Sequence, residues 1–260
     1  MTGGTIQWYP GHMARAMRRL AEDVKIVDLV IEVIDARVPL SGANPALDRV
    51  AANKVRLRVL TREDLADPEQ TRRWVERLRE TRPTIALAAK EPSGPARLRA
   101  AVTAVAAGLR SPRALVLGIP NAGKSTVINA LAGRKVARTE DRAGVTRGIQ
   151  WFRLENGLEV MDTAGILAPK IETDEAQWRL AMVGAVPRAR FDAEEVIARF
   201  QRWAEGAPGS NAVPKLETFA QSRGFIRHGN VSDVHNAALA YMKEFGEGRF
   251  GRLTLEEAAP

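Results

Sequence analysis

The chain has 260 residues, 45% of them hydrophobic, which is the composition of a globular protein with a sizeable core. It has no cysteine, which excludes disulfides and thiolate metal centres, and no apolar run near the roughly 20 residues a bilayer crossing needs. The formal net charge is +8 and unevenly spread: residues 1–170 hold 28 Lys+Arg against 18 Asp+Glu, and residues 171–260 hold 11 against 13. An excess of this kind predicts a polyanionic partner, with nucleic acid the commonest. The N-terminus, MTGGTIQWYPGHMARAM, lacks the apolar core of a secretion signal, so a cytoplasmic protein without a membrane partner is expected.

In chain order, IVDLVIEVID (26–35) is rich in Val and Ile and predicts a buried strand. VRLRVL (55–60) predicts a second. PEQTRRWVERLRE (68–80) opens on Pro and carries Trp74, Val75 and Leu78 at helical spacing. TIALAA (84–89) predicts a third strand, PARLRAAVTAVAAGL (95–109) a helix, and RALVLGI (113–119) a fourth strand. KSTVINALAG then predicts a helix closed by Gly133, and IQWFRL and LEVMDTAG a strand pair joined by ENG. Strand–helix alternation of this kind predicts an α/β sheet covered on both faces. After about residue 170 no clear strand appears. DEAQWRLAMVG, DAEEVIARFQRWAEG, VPKLETFAQSRG and SDVHNAALAYMKEFGEG all have helical spacing, with Asp192 and Ser232 as candidate N-caps. The expected organisation is an α/β domain over 1–170 and a small all-helical domain over 172–260.

The chemistry centres on GIPNAGKST (118–126), which matches G-x-x-x-x-G-K-[ST] between a predicted strand and a predicted helix. Its glycines let backbone N–H groups wrap a phosphate, and the helix N-terminus adds positive potential. Pro120, Asn121, Ala122, Gly123, Lys124, Ser125 and Thr126 are the candidate phosphate-binding residues. Lys124 supplies charge to the β- and γ-phosphates, and Ser125 offers a hydroxyl to Mg²⁺. DTAG (162–165) follows a strand, so Asp162 is positioned to hold Mg²⁺ through water and the Gly165 amide to meet a γ-phosphate. Thr146, in GVTRG, is the candidate to complete the Mg²⁺ shell in the triphosphate state.

A guanine reader of the N-K-x-D kind is absent from residues 166–260. Upstream, TRED (61–64) follows the second strand and AAK (88–90) the third, which are the places of N-K-x-D and S-A-K moved ahead of the phosphate loop. The motif order is therefore that of a circularly permuted P-loop GTPase, and the residues before the phosphate loop are the second half of the nucleotide domain.

This order, with QWYPGHMARAM near the N-terminus, DARVPLSGANP at 35–45, GIPNAGKST, DTAGIL and the closing KEFGEGRFGRLTLE, resembles the YlqF family of ribosome biogenesis GTPases. The resemblance runs from about residue 7 to 256. It implies a cytoplasmic GTPase that binds GTP and Mg²⁺ and acts late in assembly of the large ribosomal subunit. It also implies a helical C-terminal domain that helps bind ribosomal RNA; DNA is not an expected partner.

The chain departs from the family pattern in two places. Thr61-Arg62 stands where the family has Asn-Lys, although Asp64 is kept. A carboxylate there accepts from guanine N1–H and N2–H₂, a pair adenine cannot supply, so guanine selectivity is expected to survive with weaker affinity. Arg62 can lie over the base. Ala88 replaces Ser in the next motif, whose main offering is a backbone N–H, that of Ala89, beside Lys90. Ile166 follows DTAG and cannot orient water, so His12, in YPGHM, becomes the candidate group for that task, with packing or RNA contact as its alternative. Asn121 stands where similar loops bind K⁺, and otherwise serves as a turn residue. The altered TRED leaves open a nucleotide-regulated RNA-binding scaffold with little turnover, and an ATPase on the same loop, as rival readings.

Overall fold

The structure, a computed structural model, describes residues 10–137, 150–154, 157–163, 171, 173–227 and 231–258. Six strands form one sheet: β1 (Leu29–Asp35), β2 (Val55–Thr61), β3 (Thr84–Leu87), β4 (Arg113–Gly118), β5 (Gln150–Arg153) and β6 (Glu159–Asp162). Their order across the sheet is β3-β2-β1-β4-β6-β5, and only β5 runs antiparallel to its neighbour. The strand–helix alternation of the sequence thus gives the expected mostly parallel sheet.

All seven residues of β1 are buried, because both sheet faces are covered. Alternate side chains go to opposite faces. Leu29, Ile31 and Val33 join α4 (Gly94–Val105) and α5 (Lys124–Ala132) through Leu98, Val102, Val127 and Ile128. Val30 meets Leu20 and Val24 of α1 (Pro10–Lys25), and Leu47 of the short α2 (Leu47–Val50), on the other face. Ile34 packs with Trp74 and Val75 of α3 (Pro68–Arg79), whose N-cap Asp67 accepts from the Gln70 N–H. The charges in VRLRVL are buried rather than solvated. Arg56 and Arg58 both reach the Glu32 carboxylate of β1, at 3.2 and 2.9 Å. Removing Glu32 would leave Arg58 without its counter-charge in the interior, a loss of about 3–5 kcal/mol, whereas Arg56 would keep Asp48 at 2.7 Å.

Beyond the sheet lie α6 (Asp174–Met182), α7 (Ala193–Ala204), α8 (Leu216–Ser222) and α9 (Val234–Gly246). An aromatic cluster holds them: Phe200 and Phe245 lie 5.1 Å apart, Phe219 and Tyr241 5.1 Å, and Tyr241 and Phe250 4.6 Å. This cluster is continuous with the core on the α4–α5 side of the sheet. The region is helical but not purely so, because a ribbon of two-residue strands, β7 (Ile226–Arg227) and β8 (Val231–Ser232), separates α8 from α9. Ser232 belongs to β8, so it does not cap α9. Asp233 does, accepting from the Asn236 N–H. Asp192 caps α7 as expected. Among the described residues no helix is long and apolar enough to cross a membrane.

Candidate nucleotide site

The sheet order reverses its direction of growth at β1, with β2 on one side and β4 on the other. The loops after these strands therefore open a crevice at the carboxyl edge of the sheet, where open α/β folds take ligands. Thr61, Gly118 and Asp162 end their strands at this edge. The phosphate loop follows β4 and turns into α5 through Gly123, which has φ 93°, a conformation that favours glycine. Asn121 adopts a left-handed φ of 59°, a conformation that Asn tolerates better than other residues with a side chain.

Lys124 begins α5 and is 9% exposed. Its Nζ donates to the Ile119 carbonyl at 2.9 Å, inside its own loop. Burial pulls its pKa down to about 8, and the Asp162 charge only partly opposes this. Asp162 is the complementary case. Burial raises its carboxyl above the ordinary value, with Lys124 and the Thr163 N–H pulling the other way. Its Oδ1 is buried and has no hydrogen-bond partner. An orphaned carboxylate oxygen, with the Ser125 hydroxyl available at the start of α5, is a hard-oxygen donor set that suits Mg²⁺. Among the described residues there is no cluster of three or more His, Asp or Glu that could hold a metal alone. A cation here would take its remaining oxygens from water and phosphate. Thr163 Oγ donates to the Val116 carbonyl at 2.8 Å and so ties the DTAG strand to the phosphate-loop strand.

The segment after β2 meets the phosphate loop directly. Thr61 Oγ1 donates to the Ala122 carbonyl at 2.6 Å. Arg62, itself at φ 58°, donates from Nη2 to the Asn121 carbonyl at 2.8 Å. The two departures from Asn-Lys therefore brace the loop. Asp64 is exposed, Ala88 is buried, Ala89 half-buried and Lys90 exposed; β3 adjoins β2, which brings these segments to one edge. Thr61→Val should leave the Ala122 carbonyl without its donor and weaken GTP, GDP and ADP alike, by roughly five- to tenfold. Titration of the three nucleotides checks this, and a loss confined to guanine nucleotides would contradict it.

Three contacts were not legible as chemistry in the sequence. Asn121 Nδ2 donates to the Gly184 carbonyl, just past α6, at 2.7 Å, so the phosphate loop touches the helical region. Arg37 binds the Asp35 carboxylate through Nε (3.0 Å) and Nη2 (2.8 Å) and lies 5.0 Å over the Phe245 ring. Burial alone would push the Asp35 carboxyl up, but Arg37, together with Arg62 at 3.6 Å, holds it below its ordinary value. Residues 252–258 return to the sheet half of the chain. Thr146 and Gly165 lie outside the described residues, and His12 is described only as a residue in the first turn of α1.

The family model for a 50S ribosome-binding GTPase matches residues 113–198, starting at the phosphate-loop strand. A ribosome biogenesis GTPase A from Bacillus cereus is 35% identical, over 96% of this chain and 93% of that one. Two solved structures superpose over nearly the whole chain. A GNP-bound YlqF from Thermotoga maritima has a TM-score of 0.74 at 30% identity, covering 94% of this chain and 98% of that one. A GDP-bound YlqF has a TM-score of 0.73 at 31% identity, covering 92% and 99%. Identity at this level over almost the full length means that the chain belongs to the family of ribosome biogenesis GTPases typified by these relatives, and that it is a GTPase whose nucleotide domain is written in permuted order.

Proposed function

We propose that the protein is an assembly factor for the large ribosomal subunit, that it binds ribosomal RNA, and that the particle stimulates its GTP turnover in the cytoplasm. The charge asymmetry carries this reading. The excess of basic residues lies in the same two-thirds of the chain that hold the nucleotide motifs, so a polyanion can bind beside the site it regulates. Residues 1–170 form the nucleotide unit and 172–260 a helical unit that shares in RNA binding. The helical part carries 11 basic against 13 acidic residues, so the nucleotide part supplies most of the RNA contact.

Within the site, the loop 118–126 holds the phosphates through backbone N–H groups, and Lys124 exchanges its bond to Ile119 for phosphate oxygens. Mg²⁺, held by Ser125, by Asp162 through water and by Thr146 in the triphosphate state, would neutralise charge developing on the transferring phosphoryl group. The Gly165 amide donates to the γ-phosphate. Asp64 accepts from guanine, with Arg62 over the base and the Ala89 amide beside it. His12, as a neutral imidazole, accepts a hydrogen bond from the attacking water, the task Ile166 cannot perform. His12→Ala should lower stimulated turnover about a hundredfold with nucleotide affinity nearly unchanged; unchanged single-turnover rates would remove its catalytic role. A K⁺ ion beside Asn121 would add positive charge between the phosphates. Turnover in KCl is accordingly expected to exceed that in NaCl by roughly tenfold, and equal rates would leave Asn121 with only its bond to Gly184.

The test of the function is GTP turnover with and without purified large subunits, in K⁺ buffer, with ATP as control. Strong stimulation confined to GTP supports the assignment. Stimulation by the small subunit alone, or none by either, overturns it.

A further inference from the structure

After α9 the chain returns to the segment that carries Asp64. Arg252 Nε donates to the Ala66 carbonyl at 2.9 Å and its Nη2 to the Glu63 carbonyl at 2.8 Å. The Leu253 N–H donates to the Leu65 carbonyl at 3.0 Å. The Asp67 N–H donates to Thr254 Oγ1 at 3.1 Å. Backbone groups of 63, 65, 66 and 67 are thus all engaged by three consecutive residues, and Asp64 is the residue they flank. The next residues seat this strap firmly. The Leu255 N–H donates to the Arg37 carbonyl at 2.8 Å, and the Glu256 carboxylate accepts from the Leu40 and Ser41 N–H groups and the Ser41 hydroxyl. Trp74 Nε1 donates to the Glu256 carbonyl at 2.9 Å. Leu253, Thr254, Leu255 and Glu256 are all buried.

The other end of the same segment is fixed by the phosphate loop, through Thr61 to Ala122 and Arg62 to Asn121. Asp64 itself is exposed. Its carboxylate is aimed through its neighbours: four of their hydrogen bonds run to the strap, while the Glu63 N–H donates to the Leu87 carbonyl at 3.4 Å and Arg97 donates to the Glu63 carboxylate at 3.2 Å. Gly248 approaches from the α9 side at φ 78°, where any side chain would come within 2.7 Å of Leu65 Cδ2.

We propose that the strap Arg252–Glu256 is a positioning element for the guanine reader, and that Arg252, through the Glu63 and Ala66 carbonyls, sets the base selectivity of the site. This rests on the reading of Asp64 as the group that accepts from guanine. By thermodynamic reciprocity, guanine binding should also tighten the strap, whereas a ligand that fills only the phosphate loop should not.

The experiment compares affinities of the full chain and its variants for GDP, ADP and pyrophosphate, with steady-state GTP turnover. Arg252→Gln is expected to weaken GDP about tenfold, to move ADP and pyrophosphate by no more than about twofold, and to raise KM for GTP with little loss of kcat. Arg252→Lys, which keeps a cationic donor, should recover part of the loss. Thr254→Val removes the acceptor of the Asp67 N–H, another rung of the strap, and should give the same selective loss if Arg252→Gln folds poorly. A merely structural role would weaken all three ligands together. That result, or no change in any, overturns the proposal. Asp64→Asn tests the underlying reading separately, because an amide at that place should exchange preference for GDP for preference for XDP. If Asp64→Asn makes this exchange and the strap variants are silent, the strap proposal alone fails; if Asp64→Asn does not, both fail.

Discussion

Replacing Lys124 with methionine is expected to abolish GTP turnover, by at least about a thousandfold, while making the nucleotide-free protein more stable. The first effect follows from removing the only charge that the phosphate loop itself supplies to a transition state catalysed almost wholly by electrostatics. The second follows from burial. In the folded protein the Lys124 pKa is about 8 against an ordinary 10.5, a difference of about 3 kcal/mol. The sign is that of a cation with a depressed value. Below pH 8 the lysine is charged in both states and its desolvation opposes folding in full. Between pH 8 and 10.5 the folded protein sheds the proton first, and the penalty fades. The Lys124 bond to Ile119 offsets part of it, so a net gain of about 1–2 kcal/mol is expected at pH 7. Denaturant unfolding without nucleotide at pH 7 and pH 10 reads this out. An advantage for the methionine variant that does not shrink at pH 10 would falsify the electrostatic origin.

Asp162→Asn should have the next largest consequence. The amide keeps the shape but lacks the charge, so kcat is expected to fall on the order of a hundred- to a thousandfold, and Mg²⁺ should no longer tighten nucleotide binding. Nucleotide affinity in EDTA should change little. Stability without nucleotide should not fall, because the buried carboxyl, raised above 3.8, opposes folding at neutral pH and is relieved only as pH drops through its folded value. The same substitution removes the charge that props up Lys124, so that lysine should titrate below about 8 in the variant. If Mg²⁺ still tightens GDP binding to Asp162→Asn, the orphaned Oδ1 is not part of the metal site.

The sheet was legible because its signal is local. Val- and Ile-rich runs bounded by turn residues become β1, β2 and β4, and the Gly-rich loop between strand and helix needs no tertiary information to be read. Permutation was legible too, since TRED and AAK each follow a strand. What could not be read lies in pairs remote in sequence. Thr61 looked like a weakened base reader. That its hydroxyl reaches Ala122, 61 positions away, no local signal announces. Nothing local to Arg56 and Arg58 points to Glu32, which they meet inside from more than 20 positions away. Ser232 carried a fair capping signal, yet β8 took it, and Asp233, one residue on, does the capping. Asn121 suggested a cation or a turn, and nothing nearby announced Gly184.

The strap bonds join residues 186 to 189 positions apart, bridging a late part of the chain to an early one. During synthesis the sheet and phosphate loop emerge well before these partners. On the strap's proposed role, a nascent chain would acquire its phosphate-holding half before the half that chooses the base, because Leu253 and Leu255 reach the core only when the last turn of the chain has emerged. The order of translation would thereby set the order in which the two halves of nucleotide recognition mature.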